Sequence, residues 1–277
     1  MKTPKRLEPL VQEGLVDEVV RSLMSGKEAD VYVVVSQGHL RCAKVYKDSN
    51  TRSFRQRADY QEGRGEKSSR RARAMEKGSK FGRKEMEEAW QSAEVDALYK
   101  LAAVGVRVPT PHVFDHGVLL MDLVTDADGE VAPRLIDVAM TPDEARQYHK
   151  LLIGEVVKML CAGLIHGDLS EYNVLLGADG PVIIDLPQVV HAAGNNNAAR
   201  LLERDLDALS LCLGRFAPEL RKTDYGKEIW ELYQKGHLHP EVKLTGKFQR
   251  PTKAVDLQGV LRDIEDARVE AMRRLGT

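Results

Sequence analysis

The chain has 277 residues, 43% of them apolar, with 41 Lys and Arg against 42 Asp and Glu and three cysteines. That is enough for one large domain or two lobes around a true core, and it excludes a disordered chain, a collagen-like repeat and a disulfide scaffold. Cys42, Cys161 and Cys212 lie far apart with no C-x-x-C between them, so they read as buried thiols in a reducing compartment. The amino-terminal stretch is charged and lacks a continuous apolar run, so no signal peptide is expected. Nothing approaches the roughly 18–20 apolar residues of a membrane span, and the expectation is a soluble, cytoplasmic protein with no membrane partner. The formal charge of -1 hides an asymmetry: residues 52–84 carry twelve Lys and Arg against four Asp and Glu, a local +8 that leaves -9 on the rest. A basic stretch on an otherwise acidic chain is an interaction footprint or a solvated tether.

In chain order, the segment 19–24 fits a strand better than a helix. Val31–Val35, a turn at Ser36–His39 and Leu40–Tyr46 read as strand, turn, strand. Alternation sets Leu40, Cys42, Lys44 and Tyr46 on one face, an unusual place for a lysine on a half-buried strand. Residues 48–83 show little apolar periodicity and much Arg, Ser and Gly, the pattern of a mobile insertion. From about 84 to 103 the pattern turns helical, with Met86, Trp90, Ala93, Ala97 and Leu101 three and four apart, ended by Gly105, Pro109 and Pro111. Glu94 falls inside the apolar arc of that helix, near Leu98 and Leu101, and Glu87 is its rival for any role a carboxylate has there. Val118–Val124 is a short apolar strand, and the polar Asp126–Gly129 after it marks a lobe boundary. A helix over 142–162 starts with Pro142 near its first position and stops at Gly163. Further helices are expected near 197–213, 224–235 and 256–275. The organisation is thus an extension at 1–16, a first lobe at 17–124 with the insertion 48–83, and a second lobe at 125–277.

The densest chemistry is Ile165-His-Gly-Asp-Leu-Ser-Glu-Tyr-Asn-Val-Leu-Leu176, then Gly177–Pro181, then Val182-Ile-Ile-Asp185. Two apolar runs around a Gly/Asp/Pro turn make a β-hairpin. Pairing Leu176 with Val182 sets Asn173 directly opposite Asp185, with Asp168 on the loop that feeds the hairpin. Hard oxygen ligands with room for water and phosphate are what magnesium needs, and a further carboxylate can orient a hydroxyl for attack on phosphorus. A lone Asp in a loop is usually a turn or cap residue, but H-x-D-L-x-x-x-N followed by a hairpin ending in Asp rarely arises by chance. The set has the form of a protein-kinase catalytic loop. That reading asks for a strand Lys on the nucleotide phosphates and a helix carboxylate to hold it, which Lys44 and Glu94 supply. Cys42 and Val31 then pack on the adenine, and Met121–Val124 becomes the hinge.

The details resemble the RIO family of atypical serine/threonine protein kinases over about residues 17–210. Ser25-Gly-Lys-Glu-Ala-Asp-Val-Tyr32 is similar to that family's replacement for the glycine-rich loop, His166-Gly-Asp-Leu-Ser-Glu-Tyr-Asn173 to its catalytic loop, and Ile184-Asp-Leu-Pro-Gln188 to its metal-binding signature. Arg204-Asp205, expected at a helix start, also fits. The resemblance implies an α+β, two-lobed kinase-like fold, with an antiparallel sheet plus one helix in the first lobe and a mostly helical second lobe. It implies Asp168 as the catalytic aspartate, Asn173 and Asp185 as metal ligands, Lys44 on phosphate and Asp122 and Val124 as adenine contacts. Ser25 would meet phosphate through its hydroxyl and N–H, and Asp185 is a position that some members phosphorylate transiently. The cofactors implied are ATP and Mg2+, with Mn2+ as a substitute. The partners are a protein substrate, the chain itself included, and rRNA or a pre-ribosomal particle met by the basic stretch.

The chain departs from the pattern in places. Asp122 stands where the family often has Glu, a change that a backbone contact tolerates. His166-Gly167 replaces H-R and no A-P-E follows Asp185, so switching by a phosphorylated activation loop is not expected. The twenty or so residues ahead of the first strand are too few for the winged helix of one family branch. Ser53, Ser68, Ser69 and Ser79 in the insertion are candidate self-phosphorylation sites, and its few aromatics (Phe54, Tyr60, Phe81) imply sequence-blind RNA contact. His237 and His239 have no third ligand nearby. Two other functions compete: an ATPase switch on a ribonucleoprotein with a basic docking arm, and a small-molecule kinase of the aminoglycoside-phosphotransferase type, which shares H-G-D-x-x-x-x-N.

Overall fold

The computed structural model describes residues 3–47 and 93–248. The insertion 48–83, with its serines and aromatics, the helix start at 84–92 with Glu87, and the helix expected at 256–275 lie outside the described residues. The elements are α1 (Glu8–Gln12), β1 (Glu18–Ser25), β2 (Ala29–Ser36), β3 (His39–Tyr46), α2 (93–103), β4 (Pro111–Asp115), β5 (Val118–Asp122), α3 (Pro142–Cys161), β6 (Leu164–Ile165), β7 (Val174–Gly177), β8 (Gly180–Ile183), β9 (Val190–His191), α4 (Ala198–Leu213) and α5 (Tyr225–Gln234). The first lobe is a five-stranded antiparallel sheet of order β1-β2-β3-β5-β4 with α2 beside it, and the second lobe is built on α3, α4 and α5.

The sheet is built around β2, whose Val31, Val33, Val34 and Val35 are β-branched, and its turns suit the strands they join. The β2–β3 and β4–β5 turns each place two consecutive residues at positive φ, Gln37-Gly38 and His116-Gly117. That backbone follows the right-handed twist of the strands it joins. The register sorts the side chains: Met24, Val31, Lys44 and Leu119 are paired across four strands on one face, and Ser25, Asp30, Val45 and Val118 on the other. The outer face is apolar, and Leu7, Leu10 and Val16 of the amino-terminal segment pack on Val34, Val45 and Leu120 there. Burying Leu7 and Leu10 contributes about 1.5–3 kcal/mol each. The amino-terminal residues are therefore part of this lobe's core, a role their charged composition hides.

In the second lobe, α3 opens on a capping box: Thr141 accepts from the Glu144 N–H at 3.3 Å, and Glu144 accepts from the Thr141 N–H at 2.7 Å. Its buried stripe, with Leu152, Val156 and Leu160, meets Leu201 and Leu209 of α4. The expected hairpin is present as β7–β8, but its register is one residue from the expected one. The turn is only Ala178-Asp179 between the paired Gly177 and Gly180, and Gly180 takes φ 108°, which side chains resist. Val174 thus pairs with Ile183 and Leu175 with Val182, and the Ile184 N–H donates to the Asn173 carbonyl at 3.0 Å. Asn173 and Asp185 are therefore not directly opposed. Asp185 lies past the strand at φ 63°. Arg204 and Asp205 stand in the middle of α4 rather than at its start.

Candidate active site

Lys44 is held on the cleft face of β3, and its ammonium reaches two carboxylates from different elements. Nζ is 2.6 Å from Glu94 Oε1 on α2 and 2.8 Å from Asp185 Oδ1. The second oxygen of Glu94 accepts the Tyr46 hydroxyl at 2.9 Å, so both lone-pair faces of a carboxylate that is only 4% exposed are used. Burial alone would discharge Lys44, but Glu94 and then Asp185 hold its ammonium well above the ordinary lysine range. Burial works against ionisation of Asp185 as well, and Lys44 outweighs it, keeping the carboxyl below its usual range. The bracing role of Tyr46 is not apparent in the sequence. Its position two residues after Lys44 on the same face is the only signal there.

The loop 166–173 is fixed from beneath by Asp205. This buried carboxylate accepts the Gly167 N–H at 2.8 Å and the Leu169 N–H at 3.1 Å, while the Arg204 guanidinium donates to the Gly167 carbonyl. Burial pushes the Asp205 carboxyl up to about 7 despite those donors. His166 is also buried. Its Nδ1 accepts the Asp168 N–H at 3.3 Å, which leaves Nε2–H to donate to the Ile184 carbonyl at 3.1 Å, and burial lowers the ring below the ordinary histidine value. Between these two supports the Asp168 side chain projects outward, exposed. Partial desolvation raises its carboxyl above the ordinary value, with Arg204 and His166 opposing.

The donor set suits a divalent cation and a nucleotide. The Asn173 side-chain nitrogen donates to the Asp168 carbonyl at 2.8 Å, which orients the amide so that its oxygen accepts from no described residue. That oxygen and the Asp185 carboxylate are hard ligands of the kind magnesium takes. At the hinge, the Asp122 N–H is taken by the Thr110 carbonyl at 2.9 Å, and its carboxylate by His112 at 2.7 Å and by Arg41. Any contact of Asp122 with a base therefore runs through its carbonyl. The Val124 carbonyl accepts from Ala132 at 3.0 Å, whereas the Val124 N–H meets no acceptor among the described residues. Leu98, Leu119, Met121 and Leu186 line an apolar recess beside Lys44. Cys42 is buried next to it, its thiol pushed up to about 12 by burial with Lys44 opposing, which makes it a packing group rather than a nucleophile. Ser25 is placed away from the cleft face: its hydroxyl donates to Asp30 at 2.5 Å and accepts from Lys47 at 3.1 Å. His239 is exposed and lies 3.6 Å from Glu241.

A family model described as the RIO domain matches residues 30–226. Among curated proteins, the RIO-type serine/threonine-protein kinase Rio1 of Haloferax volcanii is 35% identical over 199 residues, covering 71% of this chain and 63% of that protein. The serine/threonine-protein kinase rio1 of Schizosaccharomyces pombe is 31% identical over 183 residues, 65% of this chain and 35% of that protein. The serine/threonine-protein kinase RIO1 of Homo sapiens is 30% identical over 183 residues, 65% of this chain and 31% of that protein. The match thus spans about a third of the two eukaryotic relatives and under two thirds of the archaeal one. No helix among the described residues is long and apolar enough to cross a membrane.

Proposed function

We propose that this chain, which belongs to the RIO family, transfers the γ-phosphoryl group of ATP to serine or threonine hydroxyls, its own among them. The observation that carries this reading is the meeting of Lys44, Glu94 and Asp185 within 2.6–2.8 Å, above a loop that presents Asp168. Lys44 neutralises the nucleotide phosphates, and Glu94, braced by Tyr46, fixes its position. The Val124 N–H and the Asp122 carbonyl meet the adenine edge. Asn173 and Asp185 hold Mg2+ or Mn2+, which screens the charge on the phosphates when bound. Asp168 accepts a hydrogen bond from the attacking hydroxyl, orients it and receives its proton. Its exposure lets a protein side chain reach it. The lobes divide near residues 124–125. The setting that the resemblance implies, maturation of the small ribosomal subunit in the cytoplasm, belongs to the same proposal, with residues 52–84 meeting RNA phosphates.

Incubation of the full chain with γ-labelled ATP and magnesium tests the reading. Label on serine or threonine supports it. Label on small alcohols points to an aminoglycoside-type kinase, and free phosphate released faster with RNA points to an ATPase switch. Asp168→Ala and Asp185→Ala are each expected to lower transfer by about a hundredfold or more. Full transfer in both variants would show the assigned roles to be wrong. RNA contact through the basic stretch should weaken steeply with salt and show little base preference.

A further inference from the structure

β1 is an edge strand paired only with β2, and its ladder is irregular between Val19 and Arg21 and again between Ser22 and Met24. Beyond the ladder, the Gly26 N–H donates to the Ala29 carbonyl at 2.9 Å across the β1–β2 tip. The cleft side of this hairpin carries the exposed Met24, paired with Val31, which is in turn paired with Lys44. Its outer side carries Ser25, Asp30 and Lys47. The Lys47 ammonium donates to the Gly26 carbonyl at 2.8 Å and to Ser25 Oγ at 3.1 Å, and pairs with Asp30 Oδ1 at 2.8 Å. Ser25 closes the ring by donating to the same Asp30 oxygen at 2.5 Å. The Lys47 N–H also holds the other arm of the tip through the Glu28 carbonyl at 2.9 Å. One residue thus grips Ser25, Gly26, Glu28 and Asp30. Asp30 responds: burial opposes ionisation, yet Lys47 and Ser25 keep its carboxyl below the ordinary range.

We propose that Lys47 is a positioning residue that latches the tip of the β1–β2 hairpin over the nucleotide phosphates, an inference that rests on the ATP-binding reading above. The latch starts from the residue directly after β3, three positions from Lys44, so the group on the phosphates and the residue that grips the tip lie on one short stretch of chain. An edge strand interrupted by bulges is held from one side only, and bonds from the chain after β3 to both arms of the tip add to that hold. Closure matters only to ligands that extend beneath the tip. The latch should therefore separate ATP from adenosine, whose base and ribose end short of it.

The test uses the full chain, wild type against Lys47→Met, with Asp30→Asn as a second variant that leaves the Lys47 bond to Gly26 in place. In the nucleotide-free protein, amide hydrogen exchange of residues 24–31 should be faster in Lys47→Met and intermediate in Asp30→Asn, with the helical lobe unchanged. The KM for Mg-ATP should rise about three- to tenfold in Lys47→Met with a smaller fall in kcat, as loss of a few part-exposed charged contacts predicts. The affinity for adenosine should stay within about twofold, and Lys47→Arg should recover most of the ATP affinity. Exchange in 24–31 that matches wild type, or ATP and adenosine weakened in equal ratio, overturns the latch. A wild-type chain that binds no Mg-ATP removes the functional reading instead, and the exchange of residues 24–31 then still decides whether Lys47 closes the tip.

Discussion

Glu94 and Asp205 are both nearly buried carboxylates, 4% and 2% exposed, but their partners differ in kind. Glu94 faces side chains from a neighbouring strand, the Lys44 ammonium and the Tyr46 hydroxyl. Asp205 faces main chain, the N–H groups of Gly167 and Leu169, with the Arg204 guanidinium directed at the carbonyl between them. The first arrangement places a charge: it fixes where Lys44 stands in the cleft. The second shapes a loop: it fixes the backbone from which Asp168 projects. A buried ion pair is worth little for stability in itself, yet removing one partner strands the other. For Asp205 the two backbone donors and the Arg204 guanidinium, 3.7 Å away, only partly offset burial, which pushes the carboxyl up to about 7.

The sharpest way to break the contrast is Lys44→Met. Phosphoryl transfer should fall by about a hundred- to a thousandfold in a labelled-ATP assay, because a preorganised cation is lost. Glu94 left with only Tyr46 should also cost about 3–5 kcal/mol in urea unfolding. Asp205→Ala should be next, orphaning two buried N–H groups at about 1–3 kcal/mol each, with kcat falling more than the KM for ATP rises. A variant that unfolds like wild type would show that Asp205 does not support the catalytic loop.

Asp205→Asn sharpens the comparison through pH. Between the ordinary aspartate value of 3.8 and about 7, the folded state holds a proton that the unfolded state has lost. Wild-type stability therefore gains relative to the Asn variant as pH falls through that window, by at most about 1.4 kcal/mol per pH unit. Urea midpoints of the two proteins at several pH values measure this, and parallel curves would contradict it. The smallest effect is expected of Tyr46→Phe, which keeps the ring and loses only the hydroxyl that braces Glu94. About 1–2 kcal/mol of stability and a several-fold fall in kcat should follow. A variant that is stable but fully active would show that Lys44 alone sets the Glu94 geometry.

Much of this was legible from local chemistry. Strand alternation placed Lys44, helical spacing offered Glu94 with Glu87 as its rival, and H-G-D-L-S-E-Y-N with its following hairpin marked Asp168, Asn173 and Asp185, because these depend on short-range periodicity and residue type. The pairing of Asn173 against Asp185 was misread by one position, since a two-residue turn and a longer loop fit the same Gly-Ala-Asp-Gly-Pro sequence and only the ladder chooses. Tyr46 and Lys47 were not legible as functional groups, and Asp205 was noted only with Arg204 as part of the family resemblance, at a helix start it does not occupy. Each acts on residues distant in sequence, and nothing in its own neighbourhood records which ones.

The chain alone therefore offered the residue types that the proposed chemistry needs, and roughly which strand, helix or loop carries each. Packing decided the rest: that Leu7 and Leu10 cover the outer face of the sheet, that Lys44 meets Glu94 and Asp185 together, and that Asp205 supports the catalytic loop from inside α4. The reason is one of range. Periodicity and turn chemistry act over a few residues, whereas a buried charge is fixed by whatever donor the fold brings within about 3 Å of it.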